Sequence, residues 1–566
     1  MKHLNIINII TLSVATSSFL LAATPTITDI EKSISVPKEV IPKKQELIEI
    51  DKQKFAPSMN DDKSGKTIFI KDFKIDGNSK LSEDELKKLL GEYVNKELTF
   101  FQIQEATSIL TKYYRQKGYF VARAYIPAQS LKDSNGILKI SIVEGNYGEF
   151  KLTNNSNVKD NIVQGMLDEA KSSDTVVSTN TLERSMLIIN DTPGVIVTQA
   201  DVRPGTTVGT SDFIITTEPS KTFNGYVLAD NYGSKYTSVY RTMAGASLNN
   251  PFKIGDQLSV SGLIAANTNL TNYRTAYSFP ILPNGLRGEV AYSNTDYELE
   301  KKYVSNQEIK GDSKNIEFNL TYPIIRTRAE NLTSKLSFVT KDMQDKNDGV
   351  QTNKKSIDVV NLGLDYTKNT LLANFDTQYN ANFTLSHGRL NIKDADAKTT
   401  DLAGAKTDGS YDKALLTLAN KTAFTQELSL ESSFTYQQAL GNKNLDGSED
   451  LSIGGSTGVR VYPDSEESGE NGYVLRAEGF YKLPAFQSLD HKVSVFTDTA
   501  RVKQENNIDN SKSRQLSDLG LGYYANYKDF FSKAQLARII GNSDVQSEAN
   551  GKDYQTKFLI QVGMVF

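Results

Sequence analysis

Polar and apolar residues alternate in sixteen stretches between about 223 and 566, and the joints between the stretches alternate short and long. Successive side chains of a strand point to opposite faces, so each such stretch has one apolar side and one polar side. In the terminal stretch Tyr554, Phe558, Ile560, Val562, Met564 and Phe566 share one face, and Gln555, Lys557 and Gln561 the other. Leu258, Val260 and Ile264 stand in the same way against Gln257, Ser259 and Ser261. Strands are expected near 224–231, 240–249, 257–265, 272–280, 285–297, 315–325, 331–342, 355–369, 374–387, 411–424, 428–440, 472–481, 492–501, 515–525 and 530–540, and at the C-terminus. Compact turn chemistry joins some of them, as at Asn250-Pro251-Phe252, Leu282-Pro283-Asn284-Gly285 and Thr327-Arg328-Ala329. Long polar joints separate others, at about 343–354, 388–410 and 441–471. A soluble sandwich has no reason to sort its loops by length onto one end, whereas a closed barrel crossing an outer membrane has. The pattern predicts a transmembrane β-barrel of 16 antiparallel strands over 220–566.

Two similar units precede it. In the first, 67–75 alternates as a strand, Ser82 caps a helix over 83–90 with Glu85 three residues on, and Thr99 opens a longer helix to Lys117. That helix carries Phe101, Ile103, Ala106, Leu110 and Tyr114 along one side, and Gly118 ends it. Strands at 120–126 and 137–143 complete the order βααββ. The second unit repeats it with 148–153, helices over 158–169 and 181–189, and strands at 195–202 and 212–217. The domains expected are thus 65–145 and 146–219, two small α+β modules. Each leaves an open sheet edge able to add a strand from another polypeptide, with a rigid spacer as the plainer alternative.

The first 23 residues read as an export signal: Lys2, an apolar run from Leu4 to Leu21, and small residues at Leu21-Ala22-Ala23. An uncleaved anchor is the alternative, but Asn5, Asn8, Thr11 and Ser17-Ser18 dilute the run below a spanning helix. Residues 24–64, with Pro25, Pro37, Pro42 and Pro57 among many charges, are expected to be a periplasmic tether. A short plug helix over 43–55 is a candidate within it, a plain linker being the alternative.

Composition narrows the function. A mean hydropathy of −0.42 and 38% hydrophobic residues look soluble, but a barrel with a polar lumen reads that way too. With 27 Tyr and 25 Phe and no Trp, tyrosine is the candidate for the interfacial aromatic girdles. A net charge of −4 gives no reason to expect nucleic acid. The absence of Cys excludes disulfides, thiolate metal sites and cysteine nucleophiles.

At Ala124-Tyr125-Ile126-Pro127-Ala128-Gln129 and Ile142-Val143-Glu144-Gly145 the chain resembles the first POTRA module of the two-partner secretion transporters, the haemolysin secretion/activation family. Asp230-Asn231-Tyr232-Gly233-Ser234 and Leu248-Asn249-Asn250-Pro251 are similar to that family's entry into its barrel. The most specific segment runs from Gly454 to Pro463 and is similar to the tip of the family's sixth surface loop, which folds back into the barrel. The resemblance implies a loop motif of Gly458, Val459, Arg460, Tyr462 and Pro463, with Val461 where the wider superfamily often has glycine. It also implies that Arg460 pairs with the aspartate of Phe496-Thr497-Asp498 on the thirteenth strand, with Glu478 as an acidic neighbour. Alternation agrees: if Val493, Val495 and Thr497 face lipid, then Ser494, Phe496 and Asp498 face the lumen, and by the same alternation Arg476 and Glu478 face inward. Two unrelated solvated charges are the plainer reading of one Arg and one Asp.

Other motifs carry less. Gly454-Gly455-Ser456-Thr457-Gly458 has a nucleophile-elbow pattern, but no helix is expected after it and the chain has only His3, His387 and His491. Asn442, Asn444, Asp446, Glu449 and Asp450 lack the ligand spacing of a calcium loop. Gly520-Leu521-Gly522 lacks the third glycine of a dinucleotide site and reads as close packing in a strand. No catalytic residue, metal site or cofactor is expected. The resemblance implies a monomeric translocator in the outer membrane of a Gram-negative bacterium, bathed in outer-membrane lipid. Its POTRA modules would catch the N-terminal secretion domain of a large adhesin- or haemolysin-like exoprotein in the periplasm and pass it, with or without activation, through the lumen. An insertase that assembles other barrels and a diffusion porin are the rival readings.

Overall fold

The computed structural model describes residues 25–27, 30, 67–130, 134–464, 466–506, 513–548 and 555–566. The export signal and the helix expected over 43–55 lie outside these residues. Each N-terminal module is a three-stranded mixed sheet covered by two helices. In module 1 the central strand Ile137–Val143 runs parallel to Asp72–Asp76 and antiparallel to Arg123–Tyr125. Its helices, Glu83–Leu89 and Phe100–Gln116, start where capping chemistry places them. Ser82 accepts from the Glu85 amide, and Thr99 forms a reciprocal capping box with Gln102. The expected strand over 67–75 is broken at Lys71, and its first half, Thr67–Ile70, instead pairs with Lys96–Thr99. Module 2 centres on Thr210–Glu218, between Asn146–Asn154 and Ile196–Pro204, under helices Asp160–Ser173 and Thr179–Asn190.

Residues from Phe223 onward form one closed barrel of sixteen antiparallel strands, in chain order around the wall. Strand 16 (Thr556–Val565) closes onto strand 1 (Phe223–Asp230) through the register Gln561 to Asp230 up to Val565 to Tyr226. The apolar stripes point outward: Phe318, Leu362, Val495, Leu521 and Phe558 are all more than half exposed. A surface of that kind is stable only against lipid. Among the described residues no helix is long and apolar enough to cross a membrane, so the barrel wall is what meets it.

The joint expected over 343–354 is mostly strand. Strands 7 (Glu330–Asn347) and 8 (Val350–Leu372) continue their ladder until only Asp348-Gly349 remains between them. Both residues have positive φ, as a two-residue hairpin turn requires, and the polar residues below them suit a ladder projecting into water. The joint between strand 9 (Phe375–Ile392) and strand 10 (Gly409–Ala423) holds a helix, Ala395–Ala403, capped by Asp394.

Module 2 docks on the short-turn end of the barrel. Arg326, at the end of strand 6 (Ile309–Arg326), grips the Asp191 carboxylate at 2.7 and 2.9 Å. Arg184 donates to the Asn284 carbonyl at 3.1 Å, and the Lys159 amide to that of Lys253 at 2.9 Å. Module 1 joins module 2 through Lys80–Asp174 at 2.9 Å and the Thr179 amide on the Gly118 carbonyl at 2.8 Å. Of the segment 24–64, expected to be a tether with a candidate plug helix, the structure describes residues 25–27 and 30. These lie in the barrel: Ile27 and Ile30 are buried among Tyr297, Leu299, Val304 and Met343, and the Ile27 amide donates to Asp345 at 3.0 Å. An apolar recess at the long-loop end of the lumen gives these isoleucines a better environment than water does.

Candidate functional site

The long joint between strand 11 (Leu428–Leu440) and strand 12 (Asn471–Lys482) turns inward and crosses the lumen. Its two arms pair briefly, Leu451–Ser452 against Ser468–Gly469, and the tip between them bends tightly. Gly458 is required in that bend, because a Cβ there would strike the Ile453 carbonyl. The tip is dry: Ile453, Val459, Val461 and Tyr462 are fully buried against Phe496 and Ala500 of strand 13 (Leu489–Lys503) and Leu516 of strand 14 (Arg514–Tyr527).

Within this apolar setting Arg460, only 3% exposed, meets three groups from the wall. Its Nη1 lies 2.7 Å from Glu478 and its Nε 2.9 Å from Asp498, while the guanidinium stacks 3.9 Å above the Phe496 ring. The two shortest contacts are charge contacts off the N–H direction, and Nη2 to Asp498 at 3.4 Å is the aligned hydrogen bond. Desolvated pairs of this kind attract strongly, but their desolvation makes either partner costly if left alone. Glu478 also accepts from Ser494 at 2.6 Å and Tyr524 at 2.5 Å. The structure therefore brings Arg460 of the loop motif together with Phe496, Asp498 and Glu478 of the wall, with Val459 and Tyr462 packed beside them. Tyr462 sends its hydroxyl to the Ser543 carbonyl at 2.5 Å, and Pro463 closes the turn.

Two further members join the cluster: Asp518, which no motif marks, and Arg476, whose inward face the alternation gives but whose partner it does not. Asp518 sits in register beside Asp498, accepts from the Val461 amide at 2.9 Å, and so fixes the loop backbone. Arg476, in register with Asp498 on the other side, approaches it at 3.4 Å. The signal for Asp518 was its polar side chain beside the outward-facing Leu519 and Leu521, but the neighbour across the ladder is not written locally. Gly520 reads as close packing, as expected: a Cβ there would enter the Phe496 ring. The described histidines lie away from Ser456, with His387 on Asp412 and His491 on Tyr523. Asp446 and Glu449, considered for calcium, face lysines instead: Asp446 lies 2.8 Å from Lys355, and Glu449 lies 3.0 Å from Lys341 and 2.9 Å from Lys413.

A closed lipid-facing barrel with a loop fastened across its lumen, module 2 docked at its short-turn end and module 1 joined to module 2 defines an outer-membrane barrel protein with N-terminal modules. The model of the haemolysin secretion/activation proteins ShlB/FhaC/HecB matches residues 209–524, and that of the ShlB-type POTRA domain matches 68–145. Among similar proteins, the heme/hemopexin transporter protein HuxB of Haemophilus influenzae is 30% identical over 74% of this chain and 73% of its own length. The outer membrane transporter CdiB of Dickeya dadantii is 22% identical over 76% of each chain. The solved structure of CdiB from Escherichia coli shares the fold, with a TM-score of 0.74 and 20% identity over 90% of this chain and 93% of that one. The chain belongs to the haemolysin secretion/activation family, the two-partner secretion transporters.

Proposed function

We propose that this chain exports one large exoprotein of the adhesin or haemolysin type, taking the N-terminal secretion domain of that partner on its POTRA modules at the periplasmic face. The observation that carries this reading is the pairing of a lumen-crossing loop, fastened by Arg460, with modules docked at the opposite mouth of the same barrel. The open edges of the module sheets suit an extended polypeptide, because main-chain hydrogen bonds recognise it without demanding a sequence. Similar proteins are named a heme/hemopexin transporter and a hemolysin transporter, and a transporter role for this chain fits beside those names. Arg460, Glu478, Asp498 and Phe496 hold the sixth loop in its transport-competent position, with Asp518 and Arg476 as supports. Ile27 and Ile30 fill the lumen at rest and leave it when the partner enters. The protein works as a monomer without a cofactor, drawing on folding of the partner outside the cell.

Deleting 67–218 tests the reading. Loss of one exported protein is expected. Global loss of other outer-membrane barrels would make the chain an insertase, and a change in small-solute uptake alone would make it a porin.

A further inference from the structure

The sixth loop is fastened at two places on different parts of the wall. Its tip is held by strands 12 to 14, as described. Its root, 441–450, reaches toward strands 7, 8 and 10. There Asp446 takes both of its carboxylate oxygens to the Lys355 ammonium, at 2.9 and 2.8 Å. Glu449 lies between Lys341 and Lys413, and Lys413 also donates to the Glu449 carbonyl at 2.8 Å. Gln437 of strand 11 donates to that same carbonyl at 2.9 Å and to the Glu470 carbonyl at 3.1 Å, tying the root to the returning arm. Asp446, Glu449 and Lys355 are each less than a tenth exposed. Leu445 joins the apolar recess that holds Ile27 and Ile30. Glu449 forms one wall of a lumenal cavity of about 350 Å³, whose other sides include Lys335, Lys341, Asn361 and Lys413.

We infer that Asp446 and Glu449, closed on Lys355, Lys341 and Lys413, form an electrostatic latch that keeps the root of the sixth loop across the lumen and must open for a polypeptide to pass. The inference rests on the export reading above. Its two ends are joined to strands 11 and 12, so with only the tip pinned the 441–450 arm could still lift away from strands 7, 8 and 10; held there as well, the loop divides the lumen. The two fastenings differ in kind. The tip is packed in apolar side chains and anchored by a guanidinium, which has little reason to let go. The root is held by three ammonium groups on long flexible stems beside a water-accessible cavity, where rehydrated charges can exchange partners. Opening at the root alone would clear a path along strands 7 to 10, lined by those same lysines, while the tip stays seated. Asp446 and Glu449 are positioning residues, acting through the loop.

The lack of cysteine makes a direct test practical. In planar bilayers, the full-length Asp446→Lys variant and Lys355→Asp variant should each open at least about tenfold more often than wild type, since breaking a buried pair shifts a closed population strongly. The reciprocal double variant should return to the closed trace. In cells, Asp446→Cys with Lys355→Cys bridged by a short bismaleimide should stop secretion, while each single-cysteine control treated alike should secrete normally. Unchanged opening in the single variants, or normal secretion by the bridged protein, would overturn the latch. The expected opening in the single variants and closure in the double variant, in a strain whose exported proteins are unchanged by deletion of 67–218, would instead fault the export reading while leaving the latch standing.

Discussion

Replacing Arg460 with alanine tests how the tip of the sixth loop is held. The guanidinium is 3% exposed and serves two carboxylates, Asp498 at 1% exposure and Glu478 at 8%. Removing one partner of a buried pair costs about 3–5 kcal/mol, because the remaining charge is stranded in a low dielectric. Arg476 still stands 3.4 Å from Asp498, and Ser494 and Tyr524 still donate to Glu478, which places the loss at the lower end. About 3 kcal/mol corresponds to a shift on the order of a hundredfold from docked to undocked loop. The ladder between strands 11 and 12 does not involve Arg460, so the barrel remains folded. Hydrogen exchange over 453–463 reads the shift, since the Val461 amide is protected only while it donates to Asp518. Exchange there should accelerate on that scale while strands 12 to 14 stay protected, and secreted partner should fall with it. Arg460→Lys should lie between, because one ammonium cannot span both carboxylates. The double variant with Asp498→Ala should cost less than the two single changes summed. Wild-type exchange and a wild-type secreted titre in Arg460→Ala would show that Arg460 does not hold the loop tip.

Three further outcomes follow from the geometry. Gly458→Ala should disorder the loop tip by about 1–3 kcal/mol, through its clash with the Ile453 carbonyl, and lower secretion with an intact barrel, read by heat-shifted gel mobility. Asp191→Ala should release the Arg326 fork and loosen module 2 by about 1 kcal/mol, seen as faster protease cleavage between module and barrel. The contact between the modules should depend on pH. Burial raises the Asp174 carboxyl, but the Lys80 ammonium and the Val176 amide outweigh it and hold the group below its ordinary 3.8. The same bond holds Lys80 above its ordinary 10.5. Stability from a depressed carboxyl is present above its ordinary value and lost as pH falls through the folded one; for a raised ammonium the loss comes as pH rises. The joint is therefore tightest through neutral pH and loosens in acid, which exchange at the 145–146 joint would report.

The lipid-facing stripes were legible because alternation is a local signal that the membrane enforces on every strand. Helix starts at Glu83 and Phe100 were legible for the same reason, since Ser82 and Thr99 act within three residues. The Arg460 cluster was reached by adding a family resemblance to the alternation around Phe496 and Asp498. What escaped was non-local. Asp518 matters through its register with Asp498, and the lysines that meet Asp446 and Glu449 come from strands far from the loop in sequence. The lumenal seat of Ile27 depends on a recess assembled from several strands and loops. The continuation of strands 7 and 8 to Asp348-Gly349 was obscured because residues there are polar on both faces, as water allows.

Passage of the partner through the lumen is most directly tested by trapping it there. A photo-crosslinking residue at Asn361, facing the lumenal cavity, is compared with one at Leu362, its lipid-facing neighbour on strand 8, while a partner with a disulfide-locked domain stalls in export. Adducts with the stalled partner from position 361 and none from 362 are predicted. Adducts from 362 alone, or continued export with no lumenal adduct, would contradict the account.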